Sequence, residues 1–254
     1  MNKYVYQHNF SEGRPLLYDL NNREQKAKKI ISILSDYYNN HLKNLVLLDI
    51  GSSTGIMTRY LSKYFKKTTG IDIDENAVSF AQENFKDTNL TFCIGDSMNI
   101  PFPNDFFDVI NCTQIYEHVP NSKKLMEEIY RALKPGGTCF FAAGNRFVLI
   151  EGHYKLPLLS AIPKKIAHIY LRILRRGNYY YENHLSYWGL KKLTSQFEVI
   201  DYTKEVIKNP EKYNATDMLT SNSFKQKLVL FILKLAYWLC PDYIWLLKKS
   251  INEK

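Results

Sequence analysis

The sequence predicts an α/β fold, a doubly wound and mostly parallel sheet with helices on both faces, and three observations predict it. Between residues 45 and 142, short apolar runs of strand length alternate with longer segments of helical spacing, the rhythm of parallel strands joined by crossover helices. The first of these runs ends in Asp49 and passes through Gly51 and Gly55 into a helical segment, a turn that such sheets place against a ligand. The last is preceded by Lys134-Pro135-Gly136-Gly137, where proline and glycine stop a helix before the next strand.

The elements follow in order. Residues 22–40 carry Ala27, Ile30, Ile31 and Leu34 at helical spacing, so a helix leads. Residues 45–50 are too few for a helix and end at glycine, which makes them the first strand. A helix over 55–65, a strand over 68–73 and a helix over 75–85 come next. Further strands are predicted at 90–94, 107–112 and 138–142, with a helix at 122–133 between the last two. After Gly144 the rhythm breaks into a stretch rich in proline, tyrosine and basic residues. Beyond it a helix is expected over 190–197, a strand over 198–207, a helix over 223–239 and a short strand over 243–247. The chain thus divides into residues 1–145, an N-terminal helix with a ligand-binding core, residues 146–187, a helical insertion over the site, and residues 188–254, which return to the same sheet with an amphipathic helix.

Charge narrows the partners. The 34 basic residues exceed the 25 acidic by nine, which favours an anionic surface, substrate or nucleic acid. No RNA-binding module accompanies that charge, so a nucleic-acid-binding protein is the weaker reading. Cys93, Cys112, Cys139 and Cys240 lack CxxC or His-rich pairing and read as reduced residues, most of them in strands. No metal-ligand spacing is present, and no metal is expected. Met1-Asn2-Lys3-Tyr4 leads into no apolar run, so the expected location is cytoplasmic, with peripheral contact at an inner membrane face as an option. The apolar stretch at 228–240 is interrupted by Lys234 and falls short of the roughly 20 residues that span a bilayer.

The ligand is read from acidic residues at strand ends. Asp49, Gly51 and Gly55 form a floor where backbone approaches a ligand closely. Ser53 stands where a dinucleotide loop has glycine, which disfavours NAD and FAD. Asp72, with Ile73 beside it, ends the second strand where a carboxylate accepts from ribose hydroxyls. Asp96, flanked by Ser97 and Met98, ends the third, where it suits an adenine amino group. Gln114 lies just beyond the fourth strand, at the far end of such a ligand, and Tyr18 precedes the first helix in a position to close over it.

These motifs, together with Phe107-Asp108-Val109-Ile110, Glu117-His118-Val119-Pro120 and Arg131 to Gly137, resemble the class I S-adenosyl-L-methionine (SAM)-dependent methyltransferase superfamily, and its methyltransferase-11-like domain, over roughly residues 20–145. The resemblance implies a Rossmann-like sheet of seven strands with the last antiparallel, SAM as cofactor, and the glycine loop, Asp72 and Asp96 as its loop, ribose and adenine sites. Methyl transfer is in-line and needs mainly positioning, with a base optional. His118 or Glu117 at the mouth of the sheet, or His184 after the insertion, could take a hydroxyl proton.

The acceptor is chosen outside the cofactor half, by residues 146–187 and the helix near 223–239. Ile162, Ile166, Ile169, Tyr170, Ile173 and Leu174 form a stripe among Lys164, Lys165, Arg172, Arg175 and Arg176, which suits either a lid helix or an anionic membrane surface. The layout from Tyr154-Lys155-Leu156-Pro157 to Ile162-Pro163 resembles methyltransferases of bacterial surface-glycan biosynthesis. It implies O-methylation of a sugar or lipid-linked acceptor. A small quinone-type or natural-product acceptor is the enzymatic alternative, and a catalytically silent scaffold of the same fold is the alternative that Ser53 keeps open.

Overall fold

The leading helix forms over Leu20–Tyr37 (α1), where Asp19 accepts from Asn22 N as its cap and Ala27, Ile30, Ile31, Ile33 and Leu34 are buried. The computed structural model describes residues 8–251. The reading of the first four residues lies outside the described residues. Strand Val46–Ile50 (β1) is followed by helix Ile56–Ser62 (α2), strand Lys67–Asp72 (β2) and helix Glu75–Asn84 (α3). Then come Leu90–Ile94 (β3), Phe107–Thr113 (β4) and helix Ser122–Ala132 (α4). Strand β5 spans Leu133–Gly144, and α5, at Lys164–Ile173, lies in the insertion. The chain returns through Tyr187–Leu193 (α6), Glu198–Asp201 (β6), Thr203–Lys208 (α7), Phe224–Leu235 (α8) and Asp242–Lys248 (β7).

The seven strands form one sheet in the order β3-β2-β1-β4-β5-β7-β6. Strand β7 runs antiparallel to both β5 and β6, and the remaining neighbours pair in parallel. Strand order reverses between β1 and β4, the place where open α/β sheets leave a crevice at their carboxyl ends. One apolar layer packs α1 and α2 against Leu47, Val109, Phe140 and Leu246. The opposite layer gathers Ile50, Ile110, Phe141, Trp245 and the inward residues of α4. The insertion holds a smaller cluster of its own, Leu156, Leu159, Ala167, Leu171 and Tyr180. All four cysteines are free thiols.

Four expected elements are corrected. Strand β5 starts at Leu133, not Thr138, because Leu133 pairs with Phe107 before the register jumps to Thr138 opposite Val109. Lys134 to Gly137 bulge out between these pairs and still find partners, with Gly136 N donating to Lys249 O at 3.0 Å. The helix stop is therefore also a β-bulge. The single strand expected over 198–207 breaks at Asp201, whose Oδ1 accepts Thr203 N at 2.9 Å and turns the chain into α7. Helix α6 begins at Tyr187 rather than Leu190, because Ser186 caps it by accepting from Gly189 N. The helix expected over 223–239 ends at Leu235 and is followed by a 3-10 turn, Tyr237–Leu239.

The stripe expected on the insertion helix also divides. Helix α5 buries Ala167, His168 and Leu171, whereas Ile166, Ile169, Ile173 and Leu174 stay exposed. Among the described residues no helix is long and apolar enough to cross a membrane.

Candidate functional site

The crevice begins at the turn from β1 to α2. Gly51 and Gly55 adopt φ of +70° and +75°, a backbone region that favours glycine. A Cβ at Gly55 would lie 2.6 Å from Ala81 Cβ and 2.7 Å from Phe92 Cζ, so the close packing of α2 against α3 and β3 also requires glycine here. Gly51 lies against Ile115. Ser53 also takes positive φ, at 49°, and its N–H donates to Asp72 Oδ2 at 2.7 Å. Asp49, wholly buried, accepts Thr58 Oγ1 at 2.5 Å and Asn111 Nδ2 at 2.6 Å. Burial pushes its carboxyl above the usual range. It holds the floor together from beneath.

Asp72 is half-buried and accepts Asp74 N through Oδ1 at 2.9 Å. A carboxylate has about four lone-pair directions, and the bonds from Ser53 N and Asp74 N do not use all of them. Asp96 accepts Met98 N at 2.7 Å and bridges to Asn99, with Ser97 buried and Met98 half-buried next to it. These residues share the carboxyl ends of β2 and β3. A strap from the N-terminus crosses them: Ser11 N donates to Asp74 Oδ2 at 2.8 Å, and Thr54 Oγ1 donates to Leu17 O at 2.6 Å. Tyr18 sets its ring edge-on to Phe80 of α3 at 5.1 Å.

Arg23 was not singled out from the sequence. It lies on α1 four residues before the buried Ala27, and its Nε is buried without a hydrogen-bond partner. Asp49 and Asp72 are the acidic groups acting on it. A charged residue in register with an apolar stripe was the available signal. A guanidinium with an open, buried Nε that feels Asp49 and Asp72 fits a ligand that pairs a carboxylate with a ribose, and the amino-acid and nucleoside ends of SAM have those groups.

The second half of the crevice lies past β4. Gln114 takes φ of 55° and donates from Nε2 to Asp242 Oδ1 at 3.1 Å. A Cβ at Gly144 would come 3.3 Å from the His184 ring and 3.4 Å from Gln114 Oε1, so these two side chains converge over the end of β5. His184 Nδ1 shares a hydrogen bond of 2.9 Å with Tyr180 OH, and burial pushes its pKa down to about 4. Burial, helped by His153 nearby, pushes His118 down to about 3. Both imidazoles are neutral at neutral pH. Glu117 is fully buried with both carboxyl oxygens unpartnered, and burial raises it to about 8. Near neutrality it is mainly the protonated acid.

Folding gathers groups here that no spacing announced. Asn183 N donates to Glu117 O at 2.8 Å, which brings Glu182 to His118, with Nδ1 and Oε1 4.0 Å apart. His153 joins them, its ring edge-on to His118 at 4.9 Å.

Residues 48–141 match the family model described as a methyltransferase domain. The chain is 27% identical over 142 residues to a ubiquinone biosynthesis O-methyltransferase of Coxiella burnetii, covering 53% of this chain and 59% of that protein. It is 31% identical over 136 residues to the protein of the same description from Methylococcus capsulatus, covering 52% and 53%. The chain thus spans less than two thirds of either relative. In fold it is similar to a Haemonchus contortus phosphoethanolamine N-methyltransferase 2 solved with SAM, with a TM-score of 0.56 at 19% identity, covering 97% of this chain and 60% of that one. The crevice at the β1–β4 reversal lies within the same segment, residues 48–141, that matches the methyltransferase-domain model.

Proposed function

We propose that the protein is a SAM-dependent O-methyltransferase whose acceptor is a hydroxyl on a small lipophilic, quinone-type molecule. The observation that carries the cofactor half is Arg23, whose buried Nε has no hydrogen-bond partner and whose guanidinium feels the charges of Asp49 and Asp72. Arg23 pairs with the carboxylate of the methionyl end, Asp72 accepts from the ribose, and Ile73, Ser97 and Met98 border the adenine with Asp96. When bound there, SAM supplies an electrophilic methyl group on a sulfonium. The chain's own task is to hold an oxygen in line with that methyl and to exclude water.

The acceptor side is built by the insertion. Tyr154 and Tyr180 set their rings edge-on at 5.8 Å, and Tyr180 bonds His184. With Nδ1–H donating to Tyr180, His184 keeps a lone pair on Nε2 for the acceptor proton, and His118 is the second neutral imidazole at this edge. The relatives described as ubiquinone biosynthesis enzymes favour an aromatic hydroxyl. The sugar or lipid-linked acceptor suggested by residues 154–163 is the second reading, since tyrosine faces stack on either. Exposed Ile166, Ile169 and Ile173 next to Arg172 and Arg176, and exposed Phe224, Phe231 and Leu235 on α8, fit peripheral contact with an anionic lipid surface.

Calorimetric titration with SAM tests the cofactor half. Arg23→Ala removes a charge-assisted hydrogen bond worth about 1.5–3 kcal/mol, an expected weakening of about 10- to 150-fold; no binding to the native chain ends the reading. Transfer of labelled methyl from SAM into hydroxylated aromatics, nucleotide sugars and lipid-linked sugars decides the acceptor. On the competent acceptor, His184→Ala should lower kcat by about 100-fold or more with KM for SAM unchanged. An unaltered kcat across pH removes the base role from His184.

A further inference from the structure

We infer that His118, His153 and Glu182 form a binding site for one divalent first-row transition ion of the zinc class. Nothing in the methyl-transfer reading requires such an ion, and the site stands on geometry of its own. One donor atom from each of the three side chains lies within 4.8 Å of the other two. A four-coordinate ion with bonds of about 2.0–2.2 Å sets its ligand atoms about 3.4 Å apart. Small rotations of the side chains close the observed spread, and His153, the most exposed of the three, has room to make them.

The buried groups point to the same ligand. Glu182 is 1% exposed, and neither carboxyl oxygen has a hydrogen-bond partner; His118 Nδ1 has none either. The 4.0 Å between Nδ1 and Oε1 exceeds hydrogen-bond reach, so the pair does not satisfy itself. A buried carboxylate left without partners is costly, and a cation between these atoms removes that cost. His153 is already oriented as a ligand would be. Its Nδ1 meets Glu151 Oε1 at 2.7 Å, while Glu151 Oε2 accepts His153 N and Tyr154 N at 2.9 and 2.8 Å. An imidazole whose Nδ1–H is held by a carboxylate keeps its Nε2 lone pair for a metal. The bond from Asn183 N to Glu117 O fixes the two flanking backbones, and with them His118 and Glu182.

Two imidazoles and one carboxylate select the ion. Calcium and magnesium prefer all-oxygen shells, whereas this donor set, with a position left open, suits zinc and its neighbours. The ligands come from the loop after β4 and from both ends of the insertion, so the ion ties the insertion to the sheet. With His118 engaged, His184 is left to accept the proton.

The full chain, free of any affinity tag and stripped with a chelator, is titrated with Zn²⁺ by calorimetry and with Co²⁺ by visible absorption. One equivalent of each should bind, cobalt with the intense bands of a four- or five-coordinate site. His153→Ala alters an exposed side chain and leaves the core intact; it should weaken both ions by at least about 100-fold, as should Glu182→Gln. Glu151→Gln should cost about 10- to 100-fold, the usual penalty for losing an outer partner. His41→Ala, in an exposed loop elsewhere, should leave binding unchanged. Circular dichroism checks folding, and His153→Ala alone decides if Glu182→Gln unfolds. Failure of the native chain to bind one equivalent, or affinity within twofold of native in His153→Ala, overturns the site. Neither readout involves turnover, so its failure is distinct from failure of the methyl-transfer reading.

Discussion

Asp49 receives hydrogen bonds from Thr58 and Asn111 with its side chain shut off from water. Truncation strands both buried donors, and each such group costs about 1–3 kcal/mol. Asp49→Ala should therefore lower the unfolding free energy measured by urea titration by an amount in that range or above it, while Asp72→Ala should act mainly on SAM affinity. Equal stability of Asp49→Ala and native protein would return Asp49 to the ligand. Its position was legible from the strand-ending pattern, but the two bonds it accepts were not. A sequence places an acid at the end of a strand without saying which neighbours reach it, and here Thr58 from α2 and Asn111 from β4 arrive first. Arg23 is the converse case. Its place on the stripe with Ala27 is visible in the chain, but its lack of a partner emerges only when Asp49 and Asp72 are folded beside it.

At the scale of elements, the Asp36 carboxylate is one of the links that fasten α1 to the C-terminal half, beside the Lys29–Asp217 ion pair. Asp36 lies 2.6 Å from Lys212 Nζ and accepts from the hydroxyls of Tyr213 and Tyr202 at 3.0 and 3.3 Å. The Lys212 hydrogen bond, aided by Tyr213, holds its carboxyl below the usual range against the opposing effect of burial. A depressed folded-state value stabilises the fold above the unfolded value, near about 3.9, and that stability is lost as pH falls through the folded value. Urea midpoints measured between about pH 2 and 6 should fall more steeply in native protein than in Asp36→Asn; parallel curves would show that the link carries no stability. Regular elements were legible wherever local burial alone sets the period, as in Leu90–Ile94, predicted to the residue. Boundaries were missed where a side chain bonds across a turn. Asp201 ends β6, and Ser186 starts α6, through contacts that hydrophobic periodicity does not register.

At the scale of the whole molecule, exposed Phe224, Leu228, Phe231 and Leu235 recur along α8 at helical spacing, flanked by Lys225, Lys227 and Lys234. Flotation with anionic vesicles should carry the protein upward, and Phe231→Ser with Leu235→Ser should leave it at the bottom; native protein that stays down at low salt removes the lipid surface as a partner. The alternation of strand and helix, the glycines after Asp49 and the stop at Pro135 determined the sheet and the family resemblance, because burial on two faces of a layered fold writes a local period into the chain. The antiparallel place of β7 between β5 and β6 was implied by that resemblance and not by any period. Tertiary structure alone decided which polar groups are spent and which remain open. Asp49 accepts Thr58 and Asn111 beneath the floor, Arg23 keeps a buried Nε without a hydrogen-bond partner, and His118, His153 and Glu182 meet. Loops distant in sequence converge on the carboxyl ends of one sheet, and that convergence depends on pairings between strands that leave no mark in the local pattern of any of them.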